Sequence, residues 1–183
     1  MRSLLIGCEF SIINDYYNED IYDKLKELNW QIANGKKGRM HFNCGYDYVF
    51  SRKRVIAEPI PDFIQEIINK INHDFNHNIN SCYANLYKNR LSELPFHSDS
   101  ESQLNPKSNI FILSFGSERN ITFRNKISMN ETTFSLPPNS LAIMGKHCQS
   151  KYLHAIKKSE YAVKERISLT FREFEKEVYD PNK

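Results

Sequence analysis

The chain has 183 residues, 40% of them hydrophobic and 26% charged, which suits one domain over residues 1–183 with a single core and excludes disordered and fibrous classes. The only apolar stretch near the start, Leu4 to Cys8, ends at Glu9, too short for a signal peptide or membrane span; the expectation is a soluble, intracellular monomer of cytoplasm or nucleus, encoded by a cell or a virus, with no membrane partner. A net charge of +3 is ordinary for an enzyme, and Cys8, Cys44, Cys82 and Cys148, with no Cys-x-x-Cys pair, exclude a zinc knuckle or disulfide framework and read as reduced, mostly buried thiols.

In chain order, Ile21, Leu25 and Leu28 fall at helical spacing after the polar Asn14-Asp15 segment and predict a first helix. Lys36, Lys37 and Arg39 precede an aromatic run, and Arg52, Lys53 and Arg54 follow it. On charge alone that cluster reads as a solvated loop. Phe63, Ile64, Ile67, Ile68, Ile71 and Phe75 form a second helical stripe, with Pro61 suited to its first turn. From Ser81 onward the pattern changes to short aromatic and β-branched runs, predicting strands over 82–87, 109–115, 120–124, 132–136, 140–144 and 165–174. Helices followed by many short strands imply an α+β, mainly β fold: an antiparallel sandwich or barrel with its N-terminal helices packed on one sheet.

Three segments carry chemistry. His97-Ser98-Asp99 follows a predicted strand and a Pro95 turn, and a period of two puts His97 and Asp99 on one face, able to hold one metal ion. A third ligand would come from a distant strand, and two histidines with one carboxylate suit non-haem iron(II) oxygenases. Taken alone, His-x-Asp is equally a surface turn. Arg166-Ile167-Ser168-Leu169-Thr170-Phe171-Arg172 alternates strictly, so Ile167, Leu169 and Phe171 face one side and Arg166, Ser168, Thr170 and Arg172 the other. Two inward arginines require anionic partners, which a dicarboxylate cosubstrate and the metal-ligand carboxylate would supply. Cys82 to Tyr87 alternates likewise and puts Asn85 and Tyr87 on one face.

Asn-x-Tyr, His-x-Asp, a distant His and Arg-x-x-x-x-x-Arg, in this order, resemble the AlkB family of nucleic-acid dealkylases. The likeness covers roughly residues 30–174. It takes in Arg39, the Gly45 turn and Tyr48-Val49-Phe50-Ser51, similar to the family's nucleotide-recognition lid (residues 30–54), and Phe115-Gly116-Ser117-Glu118-Arg119, similar to a small-residue turn between barrel strands. The resemblance implies a double-stranded β-helix, or jelly roll, with its catalytic core over 81–174. It implies Fe(II) held by His97, Asp99 and His154, and 2-oxoglutarate held by Asn85, Tyr87 and Arg166, with Arg172 near Asp99 and Thr170 lining the pocket. Ser168 stands where many members have Asn, and Ser100 where several have a second acidic residue that touches the base, a role Glu101 is placed to take.

The implied reaction consumes dioxygen and 2-oxoglutarate and oxidises a base methyl group, which leaves as formaldehyde while the cosubstrate leaves as succinate and carbon dioxide. The implied partner is alkylated DNA or RNA, single-stranded in preference, whose extruded base stacks on Tyr48 and Phe50 and against His97. In that context the basic flanks become phosphate contacts. His147 rivals His154; the distance from His154 to Arg166 is close to the family spacing, and Tyr152 and Ala155 give it a strand-like setting. His41, His73 and His77 have no companion carboxylate and are assigned no function. Two other functions stay open: the same chemistry on a protein or small molecule, and a jelly roll that binds nucleic acid without catalysis.

Overall fold

The computed structural model describes residues 3–33, 38–50, 53–99, 104–145 and 147–175, with backbone alone at 48–50 and 53. The first part of the chain forms β1 (Phe10–Ile13), α1 (Tyr22–Lys26), β2 (Gln31–Ile32), β3 (Arg39–Cys44), the pair β4 (Tyr48–Phe50) and β5 (Lys53–Val55), and α2 (Asp62–Phe75). The strand-rich part follows as β6 (Ser81–Tyr87), β7 (Leu94–His97), β8 (Ile110–Gly116), β9 (Arg119–Asn125), β10 (Glu131–Leu136), β11 (Leu141–Met144), α3 (Cys148–Lys151), β12 (Tyr152–Ile156) and β13 (Arg166–Arg172).

Helix α2 forms where the apolar stripe is strongest. Ile64, Ile67, Ile68 and Ile71 recur on one face and are fully buried, each contributing about 2 kcal/mol of apolar transfer. Asp62 in the first turn complements the helix dipole. Asn76, left-handed at φ 54°, ends the helix, its N–H returning to the Asn72 carbonyl. Pro61 is the extended residue before the first turn rather than within it. The first helix is shorter than its stripe suggests: α1 stops at Lys26, and Ile21 and Leu28 flank it while still packing into the same core.

Two antiparallel sheets make the body. The larger runs β1-β11-β8-β13-β6-β3-β2, the smaller β10-β9-β12-β7, and β4-β5 form a separate two-stranded ribbon. This is the mainly β, antiparallel two-sheet fold that the strand pattern predicts, with the jelly-roll form that the family resemblance implies. Period-two alternation divides the large sheet. Ile167, Leu169 and Phe171 join Ala84, Phe111, Leu113 and the α2 isoleucines in one cluster, while Phe10, Ile110, Ile112, Ile121, Phe123 and Leu136 fill part of the space between the sheets. Every residue of β13 is buried, so its polar side faces the interior and not solvent.

Two strand expectations are corrected. Within residues 30–54, β2 and β3 are built into the large sheet and β4-β5 pair with each other apart from it. Strands β1 and β2 escaped a reading that looked for strands mainly after Ser81. Pro95 lies within β7 rather than in a turn before it, as its position at the sheet edge permits, since proline cannot donate to a neighbouring strand. The Phe115–Arg119 turn is as expected. Gly116 there has φ +80°, and a Cβ would meet the Glu165 carbonyl oxygen at 2.5 Å, which only glycine avoids.

Candidate active site

Adjacent strands β7 and β12 bring His97 and His154 directly opposite each other, with ring centroids 4.3 Å apart. His97 Nδ1 lies 2.8 Å from the Pro95 carbonyl. A carbonyl can only accept, so Nδ1 carries a proton, and in the neutral ring Nε2 is then the nitrogen with the lone pair. Asp99 follows just beyond the end of β7. Its Oδ2 accepts from Arg172 Nη2 at 2.9 Å, and its buried Oδ1, without a hydrogen-bond partner among the described residues, lies 3.6 Å from His97 Nε2. Ligand atoms of His97, Asp99 and His154 all fall within 4.8 Å of one another.

These residues fit a divalent ion. Two bonds of about 2.1 Å at right angles separate their donor atoms by about 3 Å, close to the observed His97–Asp99 separation, and two imidazoles with one carboxylate leave positions for other ligands. The electrostatics agree. Burial lowers the His154 imidazole to about 3, with the nearby His97 acting the same way; it is neutral at physiological pH and can donate its lone pair. Burial disfavours an ionised Asp99, but Arg172, His154 and His97 outweigh it and hold the carboxyl below its ordinary range.

The same cavity is lined by a polar row across the large sheet. Register places Tyr87 opposite Arg166, Asn85 opposite Ser168, Tyr83 opposite Thr170 and Ser81 opposite Arg172, while Arg39 and His41 of β3 stand opposite Tyr87 and Asn85. Leu94, Ile121, Leu136 and Ile156 supply apolar lining. Arg166 is 1% exposed; Nη2 donates to Ser114 Oγ at 3.0 Å and the guanidinium lies 5.3 Å from the Tyr87 ring centroid, but among the described residues Nε and Nη1 have no hydrogen-bond partner by distance and angle. Burial pulls its guanidinium down to about 10, leaving it charged at neutral pH. Such a cation is costly until an anion reaches it, and a carboxylate matches its two-pronged geometry.

Each sequence-derived candidate can now be located. His97, Asp99, His154, Asn85, Tyr87, Arg166, Ser168, Thr170 and Arg172 all line this one cavity. Arg39 does too, but as a buried strand residue donating to Asn85 Oδ1 at 2.5 Å, not as an exposed contact. Ser100, Glu101, Lys36, Lys37, Ser51 and Arg52 lie outside the described residues, as do the side chains of Tyr48, Phe50 and Lys53. Val55 of β5 lines the cavity, placing the β4-β5 ribbon beside it; Arg54, next along, is paired with Asp47. His147 is exposed, with φ +68° before α3, and is not part of the ligand cluster.

The sequence reading passed over His41, which lines the cavity and stacks on Tyr83 at 5.5 Å between centroids, and Ser114. It also passed over Arg119 as a site residue. That guanidinium lies 5.5 Å from the Tyr87 ring centroid and donates to the carbonyls of Ser92 and Lys157. Alternation of Arg39, His41 and Asn43 was the available signal for the first.

Residues 19–172 match the model of the 2OG-Fe(II) oxygenase superfamily. The chain belongs to this superfamily. Within it, the chain is similar to proteins of the AlkB type. It is 24% identical over 145 residues to the mouse DNA oxidative demethylase ALKBH2, covering 75% of this chain and 61% of the relative. With human DNA oxidative demethylase ALKBH2 the figures are 25% over 145 residues, 75% of this chain and 56% of the relative. The chain thus spans 61% and 56% of the lengths of these curated relatives. The structure of OsALKBH1 has the same fold, with a TM-score of 0.70 at 12% identity over 90% of this chain and 97% of that one. The family uses iron and 2-oxoglutarate, and this cavity holds the candidate metal-ligand cluster together with the buried Arg166. No helix among the described residues is long and apolar enough to cross a membrane.

Proposed function

We propose that this oxygenase removes alkyl groups oxidatively from nucleic-acid bases, such as 1-methyladenine and 3-methylcytosine, in DNA or RNA. The observation that carries the oxygenase chemistry is the pairing, within one buried cavity, of the His97-Asp99-His154 cluster with an Arg166 guanidinium two of whose nitrogens have no hydrogen-bond partner among the described residues. The nucleic-acid substrate is supported by the likeness to the mouse and human DNA oxidative demethylases. It is supported too by the two-stranded ribbon beside the cavity, whose segment carries Tyr48, Phe50 and the basic residues Arg52 to Arg54.

His97, Asp99 and His154 would hold Fe(II), and Arg166 with Asn85 and Tyr87 would hold the far carboxylate of 2-oxoglutarate. When bound, iron and 2-oxoglutarate supply oxidising power from dioxygen, releasing succinate and carbon dioxide while the methyl group leaves as formaldehyde. Arg172 neutralises one oxygen of Asp99 and turns the other toward the histidines. Thr170 and Ser168 line the pocket between the two arginines. The apolar lining from Leu94, Ile121, Leu136 and Ile156 keeps bulk water from the reacting groups. A base within a duplex cannot enter such a cavity and must be extruded or presented single-stranded, which favours strands without a partner.

The test incubates the protein, Fe(II) and 2-oxoglutarate with methylated single- and double-stranded DNA and RNA oligonucleotides, reading base mass and formaldehyde. Loss of one methyl group per event, fastest on single strands and absent in His97→Ala, is the expected result. Consumption of 2-oxoglutarate while every methylated strand stays intact would turn the reading to a protein or small-molecule substrate.

A further inference from the structure

Asp99 is held differently from the two histidines. His97 and His154 sit in paired strands, whereas Asp99 lies past the end of β7, where no ladder fixes its backbone. Its N–H instead donates to Gln149 Oε1 at 2.7 Å. Gln149 belongs to α3, the single turn that leads directly into β12 and His154. The amide is itself oriented, because Nε2 points to Met144 Sδ at 3.6 Å, leaving Oε1 as the end that accepts. Lys126 Nζ completes the tie, donating to the Gln149 carbonyl at 2.7 Å and lying 3.5 Å from Ser98 Oγ in the same loop.

We propose that Gln149 is a positioning residue of the metal centre. By accepting the Asp99 N–H it ties the carboxylate-bearing loop to the segment that carries His154, so that Asp99 Oδ1 faces the histidines while Oδ2 stays on Arg172. This inference rests on reading His97, Asp99 and His154 as the metal ligands. The motif reading could not find Gln149, because it acts through a backbone group and belongs to no ligand spacing. Partners of metal ligands tune affinity strongly, and losing one weakens metal binding about 10-fold to 100-fold.

Two substitutions separate acceptance of the hydrogen bond from packing. Gln149→Met keeps the bulk and loses the oxygen; Gln149→Glu keeps an oxygen acceptor at the same reach, with Lys126 near to offset its charge. Gln149→Ser, small and too short to reach, replaces Gln149→Met if that variant does not fold. The readout is Mn(II) affinity by electron paramagnetic resonance, with melting curves of the metal-free proteins alongside. Expected are about 10-fold weaker Mn(II) binding in Gln149→Met, recovery in Gln149→Glu to within about threefold of the unaltered protein, and similar metal-free melting for all. Equal Mn(II) affinity in Gln149→Met and the unaltered protein, or a Gln149→Glu variant as weak as Gln149→Met, would overturn the inference alone. An unaltered protein that binds no Mn(II) would overturn the metal-centre reading, and the inference with it.

Discussion

Replacing Arg166 with methionine removes the guanidinium but keeps an unbranched side chain, and two effects of opposite sign are expected. In the cosubstrate-free pocket, burial pulls Arg166 from its ordinary value down to about 10. At about 1.4 kcal/mol per pH unit, the charged form costs about 3 kcal/mol there. Against this stands the hydrogen bond to Ser114, a charged contact worth about 1.5–3 kcal/mol, the Tyr87 hydroxyl having already offset part of the cost of burial. The free variant should therefore be as stable as the unaltered protein, or more stable by up to about 1.5 kcal/mol. Cosubstrate binding should move the other way. A carboxylate that loses its buried charged partner loses about 2–5 kcal/mol, equivalent to a dissociation constant about 30-fold to 5000-fold higher. Arg166→Lys should recover little, because an ammonium cannot make two parallel contacts to one carboxylate. Calorimetric titration of 2-oxoglutarate into the Mn(II)-loaded protein, beside urea unfolding of the free protein, measures both effects. A 2-oxoglutarate affinity unchanged by Arg166→Met would refute the anchor. A stability loss of about 3–5 kcal/mol, the penalty for breaking a satisfied buried pair, would show that Arg166 is structural.

Other outcomes follow from the same geometry. His154→Ala should abolish Mn(II) binding measured by electron paramagnetic resonance, whereas His147→Ala, altering an exposed residue outside the ligand cluster, should leave it intact. Arg172→Met should destabilise the metal-free protein by about 3–5 kcal/mol in urea, because it strands the buried Asp99 carboxylate; adding Asp99→Asn should recover part of that loss. His154 titrates near 3 when folded, against an ordinary value of 6.5, so below 6.5 the unfolded chain takes up the proton and the folded one does not. Stability should be nearly full above that pH and fall by about 2 kcal/mol between pH 6.5 and 4.5. Urea midpoints of the metal-free protein at the two pH values check this, and His154→Gln should lack that part of the fall.

Much of this architecture could be read before any coordinates because period-two alternation is a strong signal where both faces of a strand are buried. Arg166 to Arg172 set out both the α2-facing and cavity-facing sides, and Cys82 to Tyr87 did the same for its neighbour. His97 and Asp99 converge as expected, although Asp99 does so from a loop rather than a strand face. What sequence obscured were partners set by register between distant strands. Arg39 looked like part of a basic surface cluster because its neighbours in sequence are lysines, yet its neighbours in space are Asn85 and Tyr87. Gln149 and Ser114 act on the site through single hydrogen bonds and leave no pattern in the chain. Proline misled locally at Pro95, since an edge strand tolerates what a central strand does not.

The place of β13 has a consequence for the chain as it is synthesised. This strand comes last in sequence among those described, yet it occupies the middle of the large sheet, between β8 and β6. Until it emerges from the ribosome, β1-β11-β8 and β6-β3-β2 can exist only as two half-sheets, each presenting a bare pairing edge to other nascent chains. Closure depends on contacts between distant parts of the sequence, which is slow and leaves that edge open to aggregation while the chain waits. The arginines that complete the site arrive on the strand that closes the gap, so the pocket and the continuous sheet come into being in one step, and a chain halted short of β13 would have neither.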